Sequence, residues 1–129
     1  MGSKVIWIIL VVAVIAFLVL RRLSQVTPAT AREWLNKGAL VIDVRTEAEY
    51  REKHLPGTIN IPLDRLGDEI SRHAPDKAQP LLLHCRSGSR SSMGTHTLKK
   101  MGYESVFNVG SFGQAERILR AQPEAGSRR

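Results

Sequence analysis

The apolar residues of this chain form one long run followed by several short ones. The long run, VIWIILVVAVIAFLVL, occupies residues 5–20 without a polar interruption. Shorter apolar runs follow at 40–44, 58–61, 81–84 and 106–109, separated by stretches with apolar residues at helical spacing. Short continuous apolar runs are typical of strands that are buried on both faces of a parallel sheet. The pattern therefore predicts one apolar helix followed by an α/β domain.

Helical segments are predicted between the short apolar runs. Thr27-Pro28, a capping residue followed by proline at the first helical position, begins the first of them, and Gly38 ends it. Further helical segments are predicted at 46–51, 63–73, 91–101 and 113–120. Because strands and helices alternate, we expect a mainly parallel sheet flanked by helices on both sides. This domain is predicted to occupy residues 26–120, with a flexible C-terminal tail at 121–129.

The long apolar run is expected to form a transmembrane helix that occupies residues 1–22. Its 16 apolar residues give a helix about 24 Å long, and flanking residues extend it towards the bilayer core thickness of about 30 Å. A buried core helix is a weaker alternative, because the run has no polar face. A cleaved signal peptide fits the length and Lys4, but no small-residue cleavage stretch follows. Arg21 and Arg22 instead resemble a stop-transfer signal.

Charge indicates the orientation and the partners of the chain. Basic residues favour the cytoplasmic side of a membrane, and Arg21, Arg22, Arg32 and Lys37 after the run outnumber Lys4 before it. We therefore expect a single-pass protein with a cytoplasmic domain. The net charge of +7 comes from residues spread along the chain, and the few aromatic residues show no stacking pattern. Nucleic-acid binding is not expected, whereas anionic lipid and small anions are plausible partners.

The single cysteine, Cys85, lies between the apolar run at 81–84 and a predicted helix. Ligands bind at this end of the strands in open α/β sheets. The small residues after Cys85 allow the backbone to curl, so that several N–H groups and a helix N-terminus converge on one centre. The residues predicted to bind an anionic substrate there are Arg86, Ser87, Gly88, Ser89 and Arg90.

These donors should stabilise a negative charge on the Cys85 sulfur. A thiol in such a setting has a lowered pKa, and its thiolate is a nucleophile. A lone cysteine is more often a small, inert, buried residue. An inert thiol, however, requires neither the polar loop nor the two arginines, so we interpret Cys85 as the catalytic residue.

Four segments in a fixed order carry a family resemblance. They are LVIDVRTEAEY (40–50), HLPGTINIPL (54–63), LLLHCRSGSRS (81–91) and LKKMGYESVFNVGSFGQA (98–115). With them the chain resembles the rhodanese family over almost all of its non-membrane part. The resemblance implies a five-stranded, mainly parallel sheet and a persulfide on Cys85. It further implies a small anionic sulfur donor such as thiosulfate, a thiol or cyanide as the acceptor, and no cofactor.

Loop length separates the branches of this superfamily. Four residues lie between Cys85 and Arg90, as in its sulfurtransferases, whereas the related cell-cycle dual-specificity phosphatases and arsenate reductases carry one residue more. His84 departs from the sulfurtransferase pattern, because a histidine before the cysteine is typical of the phosphatases. We interpret it as a strand-end residue. A phosphatase or arsenate reductase remains one alternative function, and a non-catalytic, membrane-tethered adaptor is another.

Several charged residues are predicted to support the loop. Asp43 lies in a buried strand and needs a partner, and Arg45, two residues later, points to the same side of an extended chain. Glu49 is a candidate partner for Arg90. His54 is expected to fix the turn that follows it. The chain has no spaced cluster of metal ligands, so no metal site is predicted.

Overall fold

The structure, a computed structural model, describes residues 2–121. Its helices are α1 (Gly2–Leu23), α2 (Pro28–Asn36), α3 (Glu47–Glu52), α4 (Leu66–His73), α5 (Ser89–Lys100) and α6 (Phe112–Arg120). Its strands are β1 (Leu40–Asp43), β2 (Thr58–Asn60), β3 (Leu81–His84) and β4 (Val106–Gly110). The alternation predicted from the apolar pattern is confirmed. Of the predicted C-terminal tail, residues 122–129 lie outside the described residues.

The four strands form one parallel sheet in the order β2-β1-β3-β4. In its register, Asp43 is level with Asn60 on one side and with His84 on the other, and His84 is level with Gly110. Because all the strands run in the same direction, their carboxyl ends lie along one edge of the sheet. Polar residues at the ends of three neighbouring strands are therefore brought together at that edge.

Alternate side chains of the central strand β3 enter two separate hydrophobic cores. Leu81 and Leu83 pack in one core with Leu98 of α5, and Leu82 packs in the other with Ile118 of α6. All four residues of β3 are buried. Burying a leucine side chain stabilises a fold by about 1.5–3 kcal/mol. This two-sided burial explains why the strand is apolar at successive positions rather than at alternate ones.

The fifth strand implied by the resemblance is not formed, so that expectation was wrong for residues 2–121. On the outer side of β4, the Val26 N–H donates to the Asn108 carbonyl at 2.8 Å, which starts a strand-like pairing. The pairing stops there because α1 continues to Leu23 and Pro28 begins α2. Too few residues remain between the two helices to extend a ladder.

No residue of helix α1 is buried, although the helix has 22 residues. Its 22 residues correspond to a length of about 33 Å, and it is long and apolar enough to cross a bilayer. A core helix of a globular domain would be covered by its neighbours, so this exposure is inconsistent with the core-helix alternative. A signal sequence would have the same length and composition.

Candidate active site

Cys85 is the first residue after β3, at the carboxyl edge of the sheet. Its N–H donates to the Gly110 carbonyl at 3.1 Å, which holds the start of the loop against β4. Helix α5 begins at Ser89, two residues earlier than predicted, and Gly88 is its N-cap with φ +99°. Glycine adopts this left-handed conformation without a steric penalty. A Cβ at position 88 would also lie 3.2 Å from the Gly110 Cα. Both the backbone conformation and this close contact therefore favour glycine at position 88.

The loop directs hydrogen-bond donors at the sulfur, as the sequence predicted. The Gly88 N–H donates to Cys85 Sγ at 3.0 Å, and the Ser91 hydroxyl lies 3.5 Å from it. Burial raises the pKa of Cys85, but the Ser91 hydroxyl and the amides of Ser91, Gly88 and Ser87 lower it by more. The net result is a pKa below the ordinary value of a thiol. The site therefore favours the thiolate, which is the reactive form.

Two further polar residues, Ser91 and Asn108, complete the loop and were not predicted as site residues. The Ser91 hydroxyl lies 2.7 Å from Asn108 Oδ1 and 3.1 Å from the Gly88 carbonyl, while the Asn108 amide donates to the same carbonyl at 3.3 Å. A serine hydroxyl has a single proton, so a thiolate at Cys85 competes for it with these oxygens. Asn108 had a signal in the sequence, because it interrupts the apolar run VFNVG.

The predicted substrate-binding side chains divide between two environments. Arg86, Ser87 and Ser89 are exposed. Arg86 borders a cavity of about 260 Å³. The residues that line this cavity are Arg45, Glu49, Glu52, Lys53, Arg86 and Phe112. Neither Arg86 nor Lys53 has an ion-pair partner among residues 2–121, so their charges are available to a small anion.

Arg90 is half-buried and is paired with Glu49. Its two terminal nitrogens donate to the two carboxylate oxygens of Glu49 at 2.7 and 3.1 Å. This hydrogen-bonded pairing lowers the pKa of Glu49 to about 2, although burial opposes the shift. Glu49 also forms a capping box with Thr46 at the N-terminus of α3. Arg90 thus ties α5 to α3, and its charge is largely balanced by Glu49.

Asp43 and Arg45 form a buried ion pair beside the loop. Arg45 Nη2 lies 2.7 Å from Asp43 Oδ2 and also donates to the Lys53 carbonyl at 2.7 Å. His84 Nε2 lies 3.9 Å from the same carboxylate oxygen, and within residues 2–121 neither ring nitrogen of this buried histidine has a hydrogen-bond partner. Burial lowers the pKa of His84, with Asp43 opposing, so the ring is neutral at pH 7.

The described side-chain contacts of His54 are with Tyr50 of α3, and its role in the turn that follows stays a prediction. Its Nδ1 lies 2.9 Å from the Tyr50 carbonyl, and its ring stacks on the Tyr50 ring with centroids 3.9 Å apart. The turn is closed by Thr58, whose hydroxyl donates to the Leu55 carbonyl at 2.6 Å. The His54 imidazole is therefore bonded to α3, the helix that precedes it in the chain.

The sulfur of Cys85 has no access to solvent in this conformation. The residue is 0% exposed and adjoins the core that contains Leu83. One side of the thiol faces aliphatic side chains, and the other faces the donors of the loop. A reacting molecule can reach Sγ only if the loop opens.

Comparison with known proteins identifies sulfur-transfer proteins among the relatives. The family model described as "Rhodanese-like domain" matches residues 27–113. Thiosulfate sulfurtransferase PspE of Escherichia coli K12 is 38% identical over 69 residues, which are 54% of this chain and 66% of that protein. Thiosulfate sulfurtransferase GlpE of Pseudomonas savastanoi is 26% identical over 86 residues, 67% of this chain and 79% of that protein. The chain spans less than two thirds of the length of the first curated relatives it matches.

Solved structures show the same fold. A structure described as rhodanese with anions from E. coli superposes with a TM-score of 0.58 at 34% identity, over 60% of this chain and 91% of that one. The human single-domain sulfurtransferase TSTD1 superposes with a TM-score of 0.60 at 24% identity, over 78% of this chain and 98% of that one. The second likeness concerns the fold alone.

Proposed function

The chain belongs to the rhodanese-like domain family, and from this premise we propose that it is a membrane-anchored, thiosulfate-type sulfurtransferase. Cys85 is the nucleophile and the sulfur carrier. Residues 26–120 form the catalytic domain, and residues 1–22 form its transmembrane anchor. The loop from Arg86 to Arg90 binds the anionic substrate, and no metal or organic cofactor takes part.

The observation that carries this proposal is the set of donors on the Cys85 sulfur. The Gly88 N–H at 3.0 Å and the Ser91 hydroxyl at 3.5 Å stabilise a charge on that atom. Gly88 lies on a loop with only four residues between Cys85 and Arg90, and Ser91 lies in the first turn of the helix that follows. A ring of amides this small surrounds a sulfur atom more closely than it surrounds a tetrahedral oxyanion. The same donors that favour the thiolate also stabilise the terminal sulfur of a persulfide.

The reaction proceeds in two nucleophilic steps. The Cys85 thiolate attacks the outer sulfur of thiosulfate; the new S–S bond forms as the bond to the sulfonate sulfur breaks, and sulfite leaves with the electron pair. The acceptor, a thiolate or cyanide, then attacks the outer sulfur of the persulfide. This second step regenerates the Cys85 thiolate and releases the acceptor persulfide or thiocyanate. Charge and atoms balance without an external oxidant.

The charged cavity beside the loop is the proposed entry for the donor. Arg86 and Lys53, which have no ion-pair partner within residues 2–121, provide positive charge on its wall, and Arg45 lies over the face of Phe112 with its guanidinium carbon 4.8 Å from the ring centroid. A volume of about 260 Å³ accommodates a small anion. Because the sulfur has no exposed surface, the proposal requires that the loop opens on the side of Arg86.

The proposed location is a membrane, with the domain on the cytoplasmic side. Support comes from the length of α1, its apolar composition and the exposure of its apolar run, together with the basic residues that follow that run. A reducing compartment would also keep the single thiol available for transfer.

Two observations favour other functions and need to be tested directly. The buried sulfur fits an adaptor that uses the fold for protein contact. His84 before the cysteine fits a phosphatase or arsenate reductase. A phosphatase would also need a general acid, and Asp43, the carboxylate at the end of the neighbouring strand, is fully buried in its pair with Arg45.

The test is the intact mass of the full chain in detergent micelles after treatment with thiosulfate and gel filtration. We expect the mass to increase by one sulfur atom, and we expect cyanide to reverse the increase and yield thiocyanate. The matched control, Cys85→Ser, keeps the volume and the loop but should gain no sulfur. Absence of a gain together with hydrolysis of a phosphate ester or reduction of arsenate would overturn the proposal in favour of the second branch. Absence of every reaction would favour the adaptor.

A further inference from the structure

The end of α1 contacts the active-site loop. Arg21 is in the last turn of α1, and its Nη2 donates a hydrogen bond to the Ser87 carbonyl, 66 residues away in sequence. Ser87 is two residues after Cys85. Arg21 also lies outside residues 27–113, the part that the family model covers. A residue of the anchor segment therefore reaches a loop on which the proposed chemistry depends.

The Ser87 carbonyl and the Gly88 N–H belong to the same peptide group. A trans peptide is planar, and its C=O and N–H point in opposite directions. The N–H of this peptide donates to Cys85 Sγ at 3.0 Å, while its oxygen accepts from Arg21. The Arg21 guanidinium thus binds the oxygen end of this peptide dipole, and the Cys85 sulfur binds its N–H end. A charged donor on the oxygen also polarises the N–H and strengthens its bond to a thiolate.

Arg21 adds to the backbone contacts that hold this segment, which include an antiparallel bridge between Ser87 and Ser111 and a hydrogen bond from the Phe112 N–H to the Arg86 carbonyl at 3.3 Å. Gly88 has φ +99°, and glycine accepts positive and negative φ almost equally. If the peptide turned over, the Ser87 carbonyl would face the sulfur in place of the Gly88 N–H. An oxygen there would repel a thiolate. A hydrogen bond from a charged guanidinium to the outward carbonyl favours the productive orientation.

The position of Arg21 is itself well defined. Residues 24–27 are all that separates α1 from α2, and the Val26 N–H in this link bonds to the Asn108 carbonyl of β4 at 2.8 Å. The Gln25 side chain packs directly on the loop: a Cβ at Gly88 or at Gly110 would lie 2.9 or 2.6 Å from its amide group. Val26 thus holds the link against the sheet, and the preceding residue, Gln25, holds it against the active-site loop.

We infer that Arg21 is a positioning residue of the active site, which holds the Ser87–Gly88 peptide so that its N–H points at the Cys85 sulfur. The inference rests on the proposed role of Cys85 as the reacting thiol. It makes the C-terminal end of the membrane anchor part of the machinery that activates the nucleophile.

The test compares two neighbouring arginines in the full chain, in detergent micelles and in lipid vesicles. Arg21→Gln removes the bond to Ser87. Arg22→Gln removes the same charge from the same helix end, where the side chain is exposed and makes no hydrogen bond or ion pair within residues 2–121. The rate of Cys85 alkylation by iodoacetamide is measured against pH. Asp43, His84 and Arg90, the ionisable groups around the sulfur, are unchanged in both variants.

We expect the alkylation midpoint of Arg21→Gln to rise, so that its rate below the midpoint falls about tenfold, which corresponds to one pKa unit. Arg22→Gln should match the wild type, and Arg21→Lys should recover part of the rate because lysine supplies a charged donor. Equal midpoints in all the proteins would overturn the inference, and so would equal shifts in both glutamine variants, because a general charge effect would then suffice. The readout needs no turnover. Wild-type persulfide formation without a shift therefore rejects only this inference, whereas a shift without persulfide formation rejects only the proposed function.

Discussion

Two loops leave the same edge of the sheet from neighbouring strands and lead into helices, yet they use their polar groups differently. After β1, nearby side chains pair the polar groups with one another: Asp43 pairs with Arg45, and Thr46 and Glu49 form a capping box on α3. After β3, the N-cap of α5 is Gly88, which has no side chain to cap the helix. Its N–H donates to Cys85 Sγ instead.

The difference shows how one fold builds a support and a reactive site side by side. Free N–H groups at a helix N-terminus require an acceptor. In the β1 loop a threonine hydroxyl is that acceptor and binds the Glu49 N–H. In the β3 loop the acceptor is a sulfur atom, whose negative charge the donors stabilise. The pair between Glu49 and Arg90 joins α3 to α5, the helices that follow the two loops.

The largest expected effect is on the stability of the β1 loop. Arg45→Met leaves the Asp43 carboxylate, which is 0% exposed, buried without its partner, and breaking a buried pair in this way costs about 3–5 kcal/mol. The measurement is urea denaturation of the full chain in detergent, followed by tryptophan fluorescence. Arg65→Met is the matched control. It breaks a pair with Glu47 in which both side chains are largely exposed, and exposed pairs of this kind contribute little to stability. Similar losses in both variants would contradict the assigned role of the buried pair.

The next effect separates strain from chemistry in the β3 loop. Gly88 and Gly38 both have positive φ, but a Cβ at Gly88 meets Gly110 and Gln25, whereas a Cβ at Gly38 meets nothing within 4 Å. Alanine at either position should cost about 1–2 kcal/mol of backbone strain. Only Gly88→Ala should also slow alkylation of Cys85 at neutral pH, by about tenfold if the lost N–H bond raises its pKa by one unit. Wild-type reactivity in Gly88→Ala would show that the amide does not activate the thiol.

The smallest effect concerns the bridge between the two loops and depends on pH. At pH 7, Glu49→Gln should lower the free energy of unfolding by less than about 1 kcal/mol, because glutamine still serves in a capping box. The pKa of Glu49 is lowered from 4.5 to about 2 in the folded chain. The stabilisation that the Glu49 charge contributes is therefore complete at pH values above the pKa of the unfolded chain, 4.5, and is lost as the pH falls from 4.5 towards 2. Denaturation of both proteins across this range should show the difference shrinking. A constant difference would mean that the charge of Glu49 contributes nothing.

Local signals in the sequence predicted the scaffold well. Short, mainly apolar runs located all four observed strands, and Thr27-Pro28 located the start of α2, because burial and capping act over a few neighbouring residues. The position of Cys85 between a strand and a helix was likewise a local signal. The pairing of Arg90 with Glu49 was one of two options that charge alone left open.

The remaining features depend on contacts that the order of residues does not reveal. The hydrogen bonds of Ser91 with Asn108 and of Arg21 with Ser87 arise only once the sheet register is set. The fifth strand was expected from resemblance, but the length of α1 and the position of Pro28 leave no segment to form it. The burial of the Cys85 sulfur also depends on tertiary packing, because Cys85 lies against the hydrophobic core that contains Leu83.

The short link at 24–27 affects how the domain encounters partner proteins. If α1 spans a bilayer as proposed, a link this short that is pinned at Val26 gives the domain almost no reach above the lipid surface. Encounters with other membrane proteins would then be confined to two dimensions and governed by lateral diffusion. A partner moving freely in the cytosol would gain no such advantage. Lengthening the tether with glycine and serine should slow delivery of sulfur to a co-embedded acceptor while leaving delivery to free cyanide unchanged.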